Sequence, residues 1–308
     1  MELRQLRYFV KMVDLGNMTR AASELHVAQP ALSQQLANLE AGLSVKLLDR
    51  SLKGVSPTHA GSLFYKHAKA ILRKVDESQL AMRAESESPS GQITVAMPSS
   101  SARLITIPLI RLLVVDYPAI QLKLVEAPSA GIPALLSRGE VDIAIAADLA
   151  PTRLFKFQPL LSEELFAVFP AAQHGASSMT LTELSRFPLI LPSQFNGIRS
   201  RLDAVFAKRN LTYKLVAEIN VTSLLALAVR EGLGASVLPW SAVHEYAQAG
   251  QLRVVTITRP SIKRDLQLCM TEDVSSSAAA ALVLRAIKQV CGELTRSGEW
   301  RGSRWEMH

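Results

Sequence analysis

Apolar positions of helical period open the chain. Leu3, Leu6, Phe9, Val10 and Val13 recur three and four residues apart and predict a first helix with one apolar stripe. Gly16 stops it, and Asn17 or Thr19 is placed to cap a second helix whose thin apolar face is Ala21, Ala22 and Leu25. The stretch HVAQ reads as a turn. Pro30 then suits the start of a third helix, where its missing N–H would have no partner anyway. Along that helix Leu32, Leu36, Leu39 and Leu43 share a face, so Ser33, Gln34 and Asn38 must point elsewhere. Two helices joined by a tight turn, the second with a polar but uncharged outer face, make a helix-turn-helix pattern. Amide and hydroxyl ends both donate and accept, which is what base edges in a major groove require.

The pattern then changes. VKLLDRSLKGVSPT carries two short extended stretches around Lys53-Gly54, as a wing hairpin would, and Arg50 and Lys53 there suit phosphate contacts. From Thr58, placed as an N-cap, a helical stretch runs unbroken to about Glu87. Within it Phe64, Ala68, Ile71, Val75, Ser78 and Met82 fall 4, 3, 4, 3 and 4 residues apart, an a/d seam. Nothing adjacent in sequence offers a matching face, so the expected cover is a second copy of the chain. SESPSG, residues 86–91, is a polar break with Pro and Gly and marks a domain boundary.

Beyond the break strands alternate with helices. QITVAM, IQLKLVEA, the end of RGEVDIAIA, LFAVFP, FPLILP and YKLVAEIN read as strands, and LITIPLIRLLVVDYP and IRSRLDAVFAKR as helices. An α/β fold with largely parallel sheets is expected. Ligands in such folds sit beyond the carboxyl ends of the strands. MPSSSA follows the first strand, so Ser99, Ser100 and Ser101 can offer hydroxyls or helix N-terminal amides to an anion. Asn196, Gly197 and Arg199 follow another strand, and Thr222 follows AEIN. The plainer reading makes Ser100, Ser101 and Thr222 ordinary helix caps and Arg199 a surface or domain-contact arginine.

Charge sharpens the picture. The chain carries a net +7. Residues 1–75 hold 11 Lys/Arg against 5 Asp/Glu, and residues 76–308 hold 23 against 22. Positive charge concentrated in the first quarter is the footprint of a polyanion binder. Composition is otherwise that of a soluble folded protein, 48% hydrophobic and 20% charged. No apolar run is long enough for a membrane span, and MELRQLRYFV lacks the apolar core of a signal peptide. Cys269 and Cys291 match no metal or redox spacing, which fits buried thiols in a reducing cytoplasm. No nucleophile elbow, phosphate loop or HExxH pair is present, and the six histidines are scattered. Neither an enzyme nor a cofactor is expected.

LRYFV, AASELHVAQPALSQQLANLE, Leu43, the DR at 49–50 and VSPTHAG resemble the winged helix-turn-helix of LysR-type transcriptional regulators. GQITVAM, RGEVDIAIA and EGLGASVLP extend the resemblance over most of the chain. YFVKMVD, AILRK, LPSQFNGIRSRLDAVF and the Trp-bearing tail are similar to the nitrogen-control branch of that family. Ala28 departs from the family's usual Ser or Thr, Leu48 from its Phe, and Lys53 from a frequent Arg.

The resemblance implies a DNA-binding domain at 1–58, a linker helix at 59–88 used for dimerisation, and a regulatory domain at 91–308. That last domain would resemble a type 2 periplasmic binding protein, with one subdomain at about 91–161 and 264–300 and the other at about 162–263. It implies Gln29, Pro30, Ser33 and Gln34 in the groove, with Thr19, Arg50, Lys53 and Thr58 near the backbone. The implied partners are promoter DNA, the chain itself as a dimer or dimer of dimers, a small anionic effector, and RNA polymerase. A solute-binding protein whose N-terminal helices only oligomerise it is the alternative.

Overall fold

The computed structural model describes the chain except residues 52–53, 85–88, 174, 195, 273, 275–276 and 307–308, and except the side chains of residues 51, 73–74 and 76–84. It divides into two compact units, Met1–Glu87 and Ser88–His308.

In the first unit α1 (Leu3–Leu15), α2 (Met18–Glu24) and α3 (Gln29–Leu43) enclose a core of Leu6, Phe9, Met12, Ala21, Ala22, Leu32, Leu36 and Leu39. The cap of α2 is Asn17, whose side chain accepts from the Arg20 amide at 3.0 Å. The inward face of α1 is Leu6, Phe9 and Met12, whereas Leu3 is exposed. Leu43 also departs from the expected leucine face and is 37% exposed. It ends α3, and the buried Leu47 and Leu48 fill the core beyond that end instead. Glu40 fastens this corner, its Oε1 accepting from the amides of Leu47 at 2.7 Å and Leu48 at 3.1 Å.

The wing is β1 (Leu48–Ser51) paired antiparallel with β2 (Gly54–Pro57), Arg50 opposite Val55. Gly54 is required at its turn: φ is +124°, and a Cβ there would lie 2.3 Å from the Gly16 carbonyl. That same carbonyl accepts from the Val55 amide at 2.9 Å, tying the wing to the end of α1.

Next comes α4 (His59–Ala84), 26 residues, or about 39 Å at 1.5 Å per residue. Its seam is used differently from expectation. Phe64 meets Phe9 edge to face with centroids 5.2 Å apart, Ala68 is fully buried, and Ile71 packs on the same core. These three positions are therefore covered by α1 of their own chain, because the stripe of α1 supplies the face that neighbouring sequence does not. Val75 is half-buried and lies outside that core, while the side chains of Ser78 and Met82 fall outside the described residues.

The second unit begins with β3 (Gly91–Met97), α5 (Ser99–Asp116), β4 (Ile120–Glu126), α6 (Ile132–Ser137) and β5 (Ile143–Ala147). β3 lies parallel between β4 and β5. The 15-residue β6 (Lys156–Pro170) then leads into β7 (Ser178–Thr180), α7 (Leu181–Leu184), β8 (Pro188–Leu191), α8 (Gly197–Ala207), β9 (Lys214–Glu218), α9 (Thr222–Arg230), β10 (Ser236–Pro239), α10 (Trp240–Gln248) and β11 (Leu252–Thr258). The chain returns along β12 (Ile262–Met270) to α11 (Ala278–Arg296) and β13 (Ser303–Trp305).

Two cores result. One gathers Val95, Ile105, Leu109 and Ile143 with Leu161 of β6 and Leu266 of β12. The other gathers Phe169, Leu189, Leu202 and Val229 with Leu165 of β6 and Ile262 of β12. The chain thus crosses between cores at 161–165 and returns at 262–266. The sheets are mixed rather than largely parallel. β6 pairs antiparallel with β10, β11, β12 and β13, because a chain that leaves along one strand and comes back along its neighbour must reverse direction. Cys269 and Cys291 are both buried, and burial pushes the Cys269 thiol up to about 12 and Cys291 up as well. No helix among the described residues is long and apolar enough to cross a membrane.

Candidate nucleic-acid interface and sensor cleft

The outer face of α3 follows from its inner one. With Leu32, Leu36 and Leu39 turned into the core, Gln29, Pro30, Gln34 and Asn38 are exposed and Ser33 is half-buried. Ala28 precedes the helix with no side-chain cap, and Pro30 stands in its first turn. Gln34 and Asn38, one turn apart, are joined by a 3.0 Å bond from Gln34 Nε2 to Asn38 Oδ1. That bond leaves a Gln34 carbonyl as acceptor and an Asn38 amide as donor, side by side.

Around this face the structure distinguishes the expected backbone contacts. Arg50 is exposed on β1, with Nη2 donating to Ser33 Oγ at 2.9 Å, so the wing and the recognition helix are pinned to each other. Thr19 is exposed in the first turn of α2, and since Asn17 takes the cap, its hydroxyl is left for other partners. Thr58 has a structural duty: Oγ1 donates to the Lys46 carbonyl at 2.8 Å and accepts from the Gly61 amide at 2.9 Å, capping α4. Lys53 lies outside the described residues.

In the second unit a cleft of about 640 Å³ opens between the two cores. Three helices begin on it: α5 at Ser99, α8 at Gly197 and α9 at Thr222. Each presents first-turn amides that no backbone carbonyl of its own helix can bond, and the positive end of its dipole. Ser99 and Thr222 touch across the cleft, and Ser100 lines it. Asn196 lines it too while capping α8, accepting from the Ile198 amide at 3.0 Å. Neither Ser100 nor Thr222 acts as a cap, since Pro98 and Val221 precede those helices without side-chain bonds.

Two expected cleft residues fall elsewhere. Ser101 is fully buried and does not line the cleft. Arg199 is spent inside the second subdomain: Nε bonds both oxygens of Asp203 at 3.0 Å, and Nη1 bonds Glu218 at 3.1 Å and the Pro192 carbonyl at 3.2 Å. It also lies 5.5 Å from the centre of the Tyr213 ring, whose hydroxyl burial pushes up to about 12. It does not line the cleft.

The cleft's cations are different ones. Arg103 and Arg264 line it, the first bonded to Glu245 across the subdomains. Arg264 is buried, with Nε bonded to Glu163 at 2.7 Å and Nη2 to Ser100 Oγ at 2.9 Å. A sequence signal existed. Ile262, Arg264, Leu266 and Leu268 alternate at period two, as do Leu161, Glu163, Leu165 and Ala167, so each strand sets one charge on its apolar face. A further clasp, Arg201 with Asp148, joins α8 to the end of β5 at 2.6 Å from Nε to Oδ2.

A winged helix-turn-helix followed by a long helix and a two-subdomain α/β domain with a cleft defines a DNA-binding regulator that carries its own sensor. Residues 3–62 match the bacterial regulatory helix-turn-helix protein, lysR family, and residues 86–292 match the LysR substrate binding domain. The chain belongs to the LysR family of transcriptional regulators. It is 36% identical to the nitrogen assimilation regulatory protein nac of Escherichia coli (strain K12) over 308 residues, covering 100% of this chain and 99% of that one. It is also 36% identical to the nac protein of Klebsiella aerogenes over 291 residues, 94% of each. Among solved structures, a full-length OxyR variant of Pseudomonas aeruginosa shares the fold at a TM-score of 0.75 and 23% identity, covering 100% and 99% of the two chains. CbnR in complex with its target DNA follows at 0.71 and 21%, covering 94% and 100%.

Proposed function

We propose that the protein binds promoter DNA in a sequence-dependent way through α3, as a dimer or pair of dimers, and adjusts that binding to a small anion held in the sensor cleft. The observation that carries the first part is the Gln34–Asn38 pair: exposed, joined to each other, and showing one acceptor and one donor together. A paired acceptor and donor fits the N6 donor and N7 acceptor of adenine. Gln29, Pro30 and Ser33 extend the reading face. Thr19, Arg50 and Lys53 hold phosphates, which fix register without reading sequence.

A second copy of the chain is the proposed partner. Ile107, Ile110 and Val114 are exposed three and four residues apart on α5, and Val221 and Leu224 are exposed at the start of α9. Apolar stripes of that kind favour burial against another surface. Val75 and Met82 of the linker helix extend the contact. Paired copies set recognition helices on half-sites roughly 34 Å apart. The cleft reading rests on three helix N-termini with Ser99, Ser100, Asn196, Thr222 and the buried Arg264 beside them. RNA polymerase is the proposed recipient of the signal, in the cytoplasm, and the role asks for no catalysis by this chain. Selection of genomic fragments with the purified protein tests the proposal. Enriched sites should share paired half-sites, and recovery of unrelated fragments in proportion to their length would refute it.

A further inference from the structure

We propose that the C-terminal segment around Trp300 and the wall of the sensor cleft are the two ends of one buried polar relay, Trp300–Glu163–Arg264–Ser100, so that tail docking and the state of the cleft wall are set together. Glu163 is the centre of it. The residue is 1% exposed, and its two oxygens accept from Arg264 Nε at 2.7 Å, Trp300 Nε1 at 2.8 Å and Ser241 Oγ at 3.1 Å. Arg264, 5% exposed, passes the connection to Ser100 Oγ at 2.9 Å, and both of these residues line the cleft.

Position distinguishes this chain of bonds from ordinary core. Arg264 and Glu163 stand directly opposite in the β12–β6 ladder, and Ser303 stands opposite Glu163 on the other side. One row of three strands therefore runs through the place where the chain crosses between the two cores. At the cleft end the row meets the first turn of α5. At the other end it meets a three-residue edge strand, held besides by Trp240 Nε1 donating to the Glu299 carbonyl at 2.7 Å.

A buried carboxylate that loses one donor cannot replace it with water, so its remaining partners must shift. Undocking Trp300 leaves Ser241 alone on that oxygen and loosens the hold on Arg264. Conversely, an anion drawing Arg264 into the cleft deprives Glu163 of its counter-charge and loosens the tail. Coupling of this kind is reciprocal by thermodynamic necessity.

The test is amide hydrogen exchange on the full-length protein without ligand, so that its failure leaves the DNA-binding proposal and the anion proposal standing. Trp300→Phe keeps the buried ring and removes the donor. It should speed exchange at least threefold at residues 300–305 and also at 102–104, the first hydrogen-bonded amides of α5. Ser100→Ala should speed the same two segments from the opposite end. Acceleration of the tail alone, of neither segment, or of the remote strand β8 by the same factor overturns the relay. Should Trp300→Phe fold poorly, Arg301→Ala gives a second reading, since Arg301 lies 5.1 Å from the Phe166 ring and 5.6 Å from Trp240, outside the buried row. It should loosen both segments more weakly, and loosening of the tail alone again refutes the coupling.

Discussion

Ser99 and Thr222 meet hydroxyl to hydroxyl at 2.9 Å, each the first residue of a helix and each rooted in a different core of the sensor. A bond of this sort joins the subdomains across the mouth of the cleft while leaving the helix amides free. Net, it contributes about 0.5–1.5 kcal/mol. Ser99→Ala and Thr222→Val should each lower stability by about that much, and the double variant should cost little more than either alone. Urea unfolding of the four proteins measures it. Losses that add would mean that the two hydroxyls act separately.

Gln34 and Arg50 should separate reading from holding. Gln34→Ala removes one arm of the amide pair and should cost about 1–3 kcal/mol of discrimination at one base position. Arg50→Met should weaken every sequence alike and reduce the salt slope by about 1. Competition binding on single-base variants of a selected site, repeated across salt, separates the two. If Gln34→Ala weakened all sequences equally, the amide pair would not be reading bases.

Gly61 carries a sterner prediction. A Cβ there would sit 1.9 Å from the Leu47 carbonyl oxygen, an atom that accepts from the Thr58 amide at 2.9 Å and from the Thr58 hydroxyl at 3.2 Å. Backbone cannot yield as a side-chain tip can. Gly61→Ala should lift α4 off the wing and abolish DNA binding, while the far-UV signal and urea midpoint of the second unit persist. Full DNA affinity in that variant would mean that the close approach is not needed.

The helix-turn-helix was legible because its apolar spacing and its turn chemistry agree. Leu32, Leu36 and Leu39 must hide, and nothing else on α3 competes with them. The cover of α4 was not legible, because periodicity says which face is buried and not what buries it. Phe64 found Phe9, about 55 residues away in sequence, and Ala68 joined the same core. In the sensor, the rule that ligands sit beyond strand ends led to Ser99, Ser100, Asn196 and Thr222, which line the cleft. It misled at Arg199, whose partners Asp203 and Glu218 come from two elements, and it passed over Arg264, which needed the alternation of β12 to be taken seriously.

His244 makes the sensor's stability depend on pH. It lies half-buried on α10, with Nδ1 3.3 Å from the Ser241 carbonyl. Burial, which disfavours the imidazolium, holds it below the ordinary histidine value of 6.5, against the opposing pull of Glu245. The unfolded chain therefore takes up a proton that the folded chain refuses. The contribution of His244 to stability is constant above the ordinary value and falls as pH drops through it toward the lower folded value. Because α10 also supplies Ser241 to Glu163 and Glu245 to Arg103, the loss strikes the helix that braces both subdomains. His244→Gln cannot take up that proton. Urea midpoints at about pH 7.5 and about pH 5.5, on either side of the ordinary value, should fall further for the native chain than for the variant. An equal fall in both would show that His244 is protonated as readily in the folded chain as in the unfolded one.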